Sequence, residues 1–302
     1  MKAWVLQDLG KLSFEDVPMP ILGKGETLVK VKCAGICASD FARALFTGAY
    51  HYPIVLGHEF SGKTRDGRRV AVFPLLPCFE CESCMCGQFE TCSNYSYIGS
   101  RRNGAFAEYI VVPEWNLIEI PDSMSFEVAA MIEPCAVALH AVRRLDLSRV
   151  SSVAVVGNGV IGKLIARWLS IFGVDSVKVF GRFDDESFAR FDACVEAVGS
   201  VEAFRRCITL ARPGGQAVLV GNPDVNFNME QSLYWQILRK QIVLLGSWNS
   251  SFPSDWNYTI DNADRLGLED LIEMKYSFQD LGKAFDLTAY KNKERGKILV
   301  TF

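Results

Sequence analysis

The chain has 302 residues, 49% of them hydrophobic and 22% charged, with a net charge of −3; this is the composition of a globular enzyme long enough to bury a full core. The mild acidity and the lack of a basic stripe argue against a nucleic-acid partner, and no apolar run reaches the ~20 residues that span a bilayer, so no membrane partner is expected. Met1–Gly10 carries no signal-peptide pattern, and ten cysteines without one point to a reducing, cytoplasmic setting in which thiols serve as ligands or core residues.

Residues 1–32 read as short strands. Lys2–Leu6 and Thr27–Lys32 alternate in the strand manner, and Pro18, Pro20, Gly23 and Gly25 punctuate the loop between them. Cys33–Asp40 then passes from strand to helix, with Cys37 at the turn among small residues. A strand at Ile54–Leu56 runs into Gly57-His58-Glu59. A His-Glu pair alone says little, since most are surface or core residues. It gains weight here from the upstream thiol and from there being only three histidines in the chain.

Val70–Phe73 is a strand that leads into a cysteine loop. Cys78, Cys81 and Cys84 recur at steps of three, and Cys92 follows one short loop later. Four thiolates at such spacings can converge on one tetrahedral zinc, whereas a disulfide framework would need an oxidising compartment. Cys86 lies off the repeat and is left out. A closed four-thiolate site has no room for substrate, so this metal braces a loop and the chemistry lies elsewhere. After Ile98–Gly104, the strand Glu108–Val112 closes what reads as a barrel of short strands. Met124–Val142 is a largely apolar helical stretch carrying Glu133-Pro134. A carboxylate in that setting is costly unless paired or metal-bound, or else it serves backbone donors at a helix start. His140 reads as a packed core residue.

The second region opens with the β-branched strand Val153–Val156, followed by Gly157-Asn158-Gly159-Val160-Ile161-Gly162 and a helical stretch from Lys163 to Phe172. Strand, Gly-x-Gly-x-x-Gly and helix together form the dinucleotide fingerprint. Gly157 makes the tight turn, Gly159 lets the backbone approach a pyrophosphate, and Gly162 lets helix and strand pack closely, while the first residues of the helix, Val160 and Ile161, meet the phosphate charge. The next strand, Val177–Phe180, ends in Gly181-Arg182 rather than in an acid. An arginine without the acid suits a 2′-phosphate, which favours NADP(H) over NAD(H); Asp184 and Asp185 keep NAD(H) open. The stretch from Arg182 to Asp192 is too short for another βαβ unit of ~30 residues. One edge strand and one helix are therefore missing, and the link from Asp184 to Phe191 holds about two helical turns. Helix and strand then alternate through Glu202–Leu210, Ala217–Gly221, Met229–Arg239 and Ile242–Gly246. Helical pieces around Tyr258–Leu266 and Phe278–Tyr290 precede a final strand, Lys297–Val300, that returns to the first region.

Taken together, Gly35-Ile36-Cys37-Ala38-Ser39-Asp40, Gly57-His58-Glu59, the four-cysteine loop, Glu133-Pro134 and the glycine fingerprint make the chain resemble the zinc-dependent medium-chain alcohol and polyol dehydrogenases. The stretches His51–Ile54, Pro74–Cys78, Tyr97–Gly104, Ile237–Lys240 and Gly246–Trp248 resemble the branch that acts on polyol phosphates. The resemblance implies an α/β protein. A shortened, doubly wound Rossmann domain (139–256) would carry the cofactor, and a mostly-β GroES-like domain (1–138 and 257–302) would carry two zinc ions. It implies that Cys37, His58 and Glu133 hold a catalytic zinc, with Glu59 as an outer or exchanging ligand, and that Ser39 relays the alcohol proton. Cys78, Cys81, Cys84 and Cys92 would hold the structural zinc. The implied reaction moves hydride between a secondary alcohol of a sugar alcohol, such as galactitol 1-phosphate, and a nicotinamide. Arg43, Arg101 and Arg102 are then candidate readers of the phosphate. An unphosphorylated polyol or vicinal diol is the alternative substrate, and a non-catalytic nucleotide sensor the alternative function. The resemblance also implies a homodimer or homotetramer.

Overall fold

A computed structural model describes residues 1–184, 190–223, 226–285 and 296–302. The chain forms two compact units, Met1–Glu133 with Ser251–Phe302, and Pro134–Ser250.

The first unit begins with β1 (Lys2–Asp8), β2 (Lys11–Asp16), β3 (Glu26–Ile36), α1 (Ala38–Leu45), β4 (Ile54–Val55), β5 (Glu59–Thr64), β6 (Arg69–Val72) and β7 (Leu75–Leu76). The cysteine loop holds α2 (Glu82–Met85), and β8 (Ser96–Tyr97), β9 (Tyr109–Pro113), β10 (Leu117–Glu119) and α3 (Phe126–Ala130) follow. β2-β1-β4 form one small sheet and β7-β8 a two-stranded ribbon. The core of this unit is one cluster that includes Leu6, Ile54, Leu56, Phe60, Val72, Ile98 and Phe106, all essentially inaccessible to solvent. β3 is the organising strand. It pairs antiparallel with β9 over its first half and with β5 over most of its length, and it ends at the cysteine that opens α1.

The second unit follows α4 (Ile132–Arg143) with β11 (Ser152–Val156), α5 (Val160–Ile171), β12 (Ser176–Phe180), β13 (Phe191–Glu196), α6 (Val201–Leu210), β14 (Ala211–Leu219), α7 (Gln231–Lys240) and β15 (Val243–Gly246). Its five strands are all parallel, in the order β12-β11-β13-β14-β15. The central strands β11 and β13 are apolar on both faces because helices cover both sides of such a sheet. Among the described residues nothing pairs with the outer side of β12, so the strand expected to be missing is missing. The helical turns expected over Asp184–Phe191 fall largely on 185–189, outside the described residues.

The remaining part of the first unit contains α8 (Ser254–Asp261), α9 (Ala263–Leu266), β16 (Ile272–Ser277), α10 (Leu281–Ala284) and β17 (Lys297–Thr301). β17 lies between β16 and β3, which extends the sheet to seven strands and returns the chain to β3. Two local expectations differ from the structure. The apolar stretch 124–142 is two helices, α3 and α4, divided at Met131, because Pro134 has no N–H for the carbonyl four residues before it and belongs in a first helical turn. β16 lies between the two helical pieces read from the sequence, in a stretch left unassigned, and the second piece, 278–290, falls beyond residue 285 outside the described residues.

Candidate active site

Cys37 stands where β3 turns into α1. Its backbone is extended (φ −89°, ψ 154°), and its N–H donates to Asp40 Oδ2 at 2.9 Å, so a carboxylate three residues on fixes the turn that presents the thiol. His58 and Glu59 come from the start of β5, where the register sets Glu59 opposite Gly35 of β3. Two neighbouring strands thus bring the donor atoms of Cys37, His58 and Glu59 within 4.8 Å of one another. Ser39 is half-buried in the first turn of α1. Glu133, in the first turn of α4, stands outside this mutually close set, and its Oε1 accepts from the Tyr97 hydroxyl at 3.3 Å. The Tyr97 ring meets the His58 ring edge-on at 5.7 Å.

The electrostatics are those of a buried polar cluster. Asp40 Oδ1 lies 3.4 Å from His58 Nδ1, yet the two are not aligned as a hydrogen bond. Burial alone would keep Asp40 neutral, but the charge of His58, the charge of Arg43 and the Cys37 N–H outweigh it and hold the carboxyl below its usual range. Burial would likewise depress His58, but Asp40 and Cys37 raise it well above the ordinary imidazole value. Glu133 is pushed up to about 7, first by burial and further by the charge of Glu59, against the opposing pull of His58, Lys297 and Tyr97. A thiol, an imidazole and a carboxylate within 4.8 Å form the mixed donor set of a zinc centre that keeps a coordination position for substrate. Nδ1 faces Asp40 at 3.4 Å, so Nε2 is the nitrogen left for a metal. The residues fit zinc.

The four-cysteine lobe fits a closed zinc site. Cys78, Cys81, Cys84 and Cys92 are all free thiols whose sulfurs share one small volume. Sγ–Sγ separations of 3.5, 3.8 and 4.0 Å bracket the ~3.8 Å edge of a tetrahedron with metal–sulfur bonds of about 2.3 Å. Backbone N–H groups of Cys84 and Ser93 pull the Cys81 thiol down to about 6, while burial pushes Cys84 up to about 12. Cys86 is exposed and takes no part.

In the second unit the glycine turn has the geometry its sequence requires. Gly157 has φ +126°, a conformation side chains avoid. A Cβ on Gly162 would come within 1.8 Å of the Gly157 carbonyl oxygen, so only glycine lets α5 pack this close to β11. Gly159 caps α5, and a Cβ there would point into open space, the face a pyrophosphate needs. Val160 and Ile161 form the first turn of α5 and are partly exposed. At the end of β12, the Gly181 N–H donates to Asp184 Oδ2 at 2.7 Å, and the Arg182 guanidinium lies 5.8 Å from the Phe183 ring centre. Arg206 of α6 donates to the Gly181 carbonyl at 2.6 Å and to that of Asp184.

The fold and both cysteine-bearing sites can now be set beside known proteins. The profile of the alcohol dehydrogenase GroES-like domain matches residues 23–122. Galactitol 1-phosphate 5-dehydrogenase of Escherichia coli strain K12 is 32% identical over 330 residues, an alignment covering 95% of each chain. The crystal structure of galactitol-1-phosphate dehydrogenase from Escherichia coli superposes with a TM-score of 0.89 at 30% identity over the full length of both chains. The chain belongs to the zinc-dependent medium-chain alcohol and polyol dehydrogenases. A zinc-binding dehydrogenase from Sinorhizobium meliloti 1021, solved with NADP, has a TM-score of 0.90 at 27% identity, covering 100% of this chain and 99% of the other. The alignment to the Escherichia coli enzyme is longer than this dehydrogenase itself, so it crosses gaps on this side, in keeping with the shortened nucleotide unit.

Three side chains of the dehydrogenase's site were not read from the sequence as functional. Asp40 could have been found from its place three residues after Cys37, and Tyr97 from the aromatic run after the cysteine loop. Lys297 gave no signal, because a lysine opening a strand reads as a solvent-facing end. Here it is only 4% exposed, and its Nζ is in contact with Glu59 Oε2. The three candidate arginines have different surroundings. Arg102 is paired with Glu26 at 3.1 Å. Arg101 donates to the Tyr95 carbonyl and stacks on the rings of Tyr95 and Tyr50, at 4.4 and 5.2 Å. Arg43, in the last turn of α1, has a buried Nη1 with no hydrogen bond.

Proposed function

We propose that this dehydrogenase oxidises a secondary hydroxyl of a phosphorylated sugar alcohol, passing hydride to a nicotinamide cofactor at a zinc centre built on Cys37, His58 and Glu133, with a second zinc in the four-cysteine lobe. The observation that carries the proposal is the half-buried Cys37 thiol brought within 4.8 Å of His58 and Glu59 by β3 and β5, with Glu133 tied to the same place by Tyr97, whose ring meets His58 and whose hydroxyl donates to Glu133. Zinc bound there supplies the Lewis acidity that makes the substrate hydroxyl a stronger acid at neutral pH.

The chain's own residues do the rest. Asp40 sets the His58 ring through Nδ1. Tyr97 packs against His58 and holds Glu133 through its hydroxyl, fixing both and shielding them from water. Ser39, in the first turn of α1, relays the substrate's hydroxyl proton, accepting it on its oxygen while passing its own hydroxyl proton on towards solvent. Gly157, Gly159 and Gly162, with the first turn of α5, hold the cofactor's pyrophosphate.

Two observations support a phosphorylated substrate: the named relative is a galactitol 1-phosphate dehydrogenase, and Arg101 lies over the rings of Tyr95 and Tyr50 rather than against an acid among the described residues. An arginine without an acidic partner has its planar fork to offer a phosphate. Arg43, with its unbonded Nη1, is a second reader; Arg102 is occupied by Glu26 and is not. For the cofactor, exposed Arg182 supports NADP(H), and one carboxylate oxygen of Asp184 is already used by the Gly181 N–H.

A panel of galactitol 1-phosphate and free galactitol, each with NAD and with NADP, tests the proposal. Galactitol 1-phosphate with NADP should give the highest kcat/KM, and Arg101→Met should lower it for the phosphorylated polyol only. Equal rates on the two polyols would reject the phosphate, and a preference for NAD would transfer ribose reading from Arg182 to Asp184.

A further inference from the structure

Glu59 is as near to Cys37 and His58 as a metal ligand must be, yet it is also bound to a cation. Lys297 opens β17, and β17 is held on β3 by the pairs from Ile298 with Ile36 to Thr301 with Cys33. This pairing carries a lysine into the interior, where its side chain is 5% exposed and its Nζ touches Glu59 Oε2. The space for the contact is made by Gly35, which lies opposite Glu59 in the β3–β5 register. A Cβ on Gly35 would sit 2.3 Å from Glu59 Oε2 and 2.8 Å from Lys297 Cε. Strand, lysine and glycine together hold one oxygen of a carboxylate that would otherwise be free to turn towards a metal.

From this we infer that Lys297 is a positioning residue that keeps Glu59 as an outer partner of the zinc centre and so reserves a coordination position for substrate. The inference rests on the zinc reading proposed above. Without the lysine, an uncompensated buried carboxylate beside a divalent cation binds it, because an unpaired charge in the interior is costly and the metal is the nearest compensation.

The test compares wild type, Lys297→Met, Glu59→Gln and the double variant, with cobalt exchanged into the Cys37–His58 site and zinc kept in the lobe. Lys297→Met should release its metal to a chelator about tenfold more slowly than wild type and show an altered cobalt visible spectrum. Glu59→Gln alone should keep the wild-type spectrum, and adding it to Lys297→Met should restore both spectrum and release rate. If Lys297→Met does not fold, Glu59→Gln still decides: a changed spectrum would mean that Glu59 binds the metal with Lys297 in place, which overturns the inference. Lys297→Met releasing metal at or above the wild-type rate would also overturn it. A wild type that takes up metal only in the lobe would overturn the zinc reading, and this inference with it.

Discussion

Asp192 shows how much one side chain can organise in this protein. At the start of β13 its Oδ2 accepts from the N–H and the hydroxyl of both Ser151 and Ser152, at 2.9 to 3.0 Å, and its Oδ1 accepts from Arg212 Nε at 2.6 Å. Burial opposes its charge, but Arg212 and the serine donors outweigh it and hold the carboxyl well below the usual carboxylate range. A depressed folded-state value means that the stabilisation is complete above the unfolded value, near 4, and is lost as pH falls through the folded one. Asp192→Asn should therefore cost about 1–3 kcal/mol at pH 7. Its deficit relative to the parent, measured by urea unfolding, should shrink steadily below about pH 4. At this scale the sequence was legible where a motif fixes spacing, as with Cys37, His58, Glu59 and the four lobe cysteines. It was not legible where a role depends on strand register: nothing local to Lys297 says that β17 will carry it to Glu59, and nothing local to Tyr97 says that its hydroxyl will find Glu133.

Among the elements, the cysteine lobe is the clearest case of a segment with few apolar contacts and a set of thiols that fits a metal. It meets the rest of the first unit through Phe79, Phe89 and Trp115, with ring centres 4.9 to 5.7 Å apart, and Trp115 continues to Phe252 at 4.9 Å. Chelation that strips the lobe should free the four thiols and loosen the cover of Phe79 and Phe89 on Trp115, because beyond the β7–β8 ribbon at its base the four thiols are what would draw the loop together. The emission that distinguishes the parent from Trp115→Phe should shift to the red, while far-ultraviolet circular dichroism keeps the helices of the second unit. Loss of the lobe metal with no change in that emission would refute this. The parallel sheet of the second unit was the most legible part, because buried β-branched runs alternate there with helices and turn glycines. The first unit was less so. Ile272, Met274 and Tyr276 alternate with polar residues as strand residues do, but β16 lies among helical patterns and at a sheet edge, where exposure weakens the signal. The apolar character of 124–142 hid the break before Pro134, although Glu-Pro is itself a helix-start signature.

Across the whole molecule, the two residue groups that fit a metal come from separate parts of one unit and share no residue. Independence follows, and it can be measured. Cys37→Ser should abolish turnover and lose one zinc of two by mass spectrometry of the native protein, leaving the lobe's zinc and the melting temperature near those of the parent. Loss of both metals would show that the sites are coupled. At this scale the shortened nucleotide unit was also legible, from the distance between Arg182 and Asp192. How its new edge is finished was not: Arg206, far along the chain on α6, holds the carbonyls of Gly181 and Asp184 and stacks on Phe180 at 4.8 Å.

The place of β17 bears on the order of events during synthesis. A ribosome will have released Cys37, His58 and Glu59 long before it reaches Lys297, so for most of translation Glu59 is exposed without its lysine. On the inference drawn above, zinc captured at that stage would meet a carboxylate free to bind it, and Glu59 would be drawn away only once β17 pairs with β3.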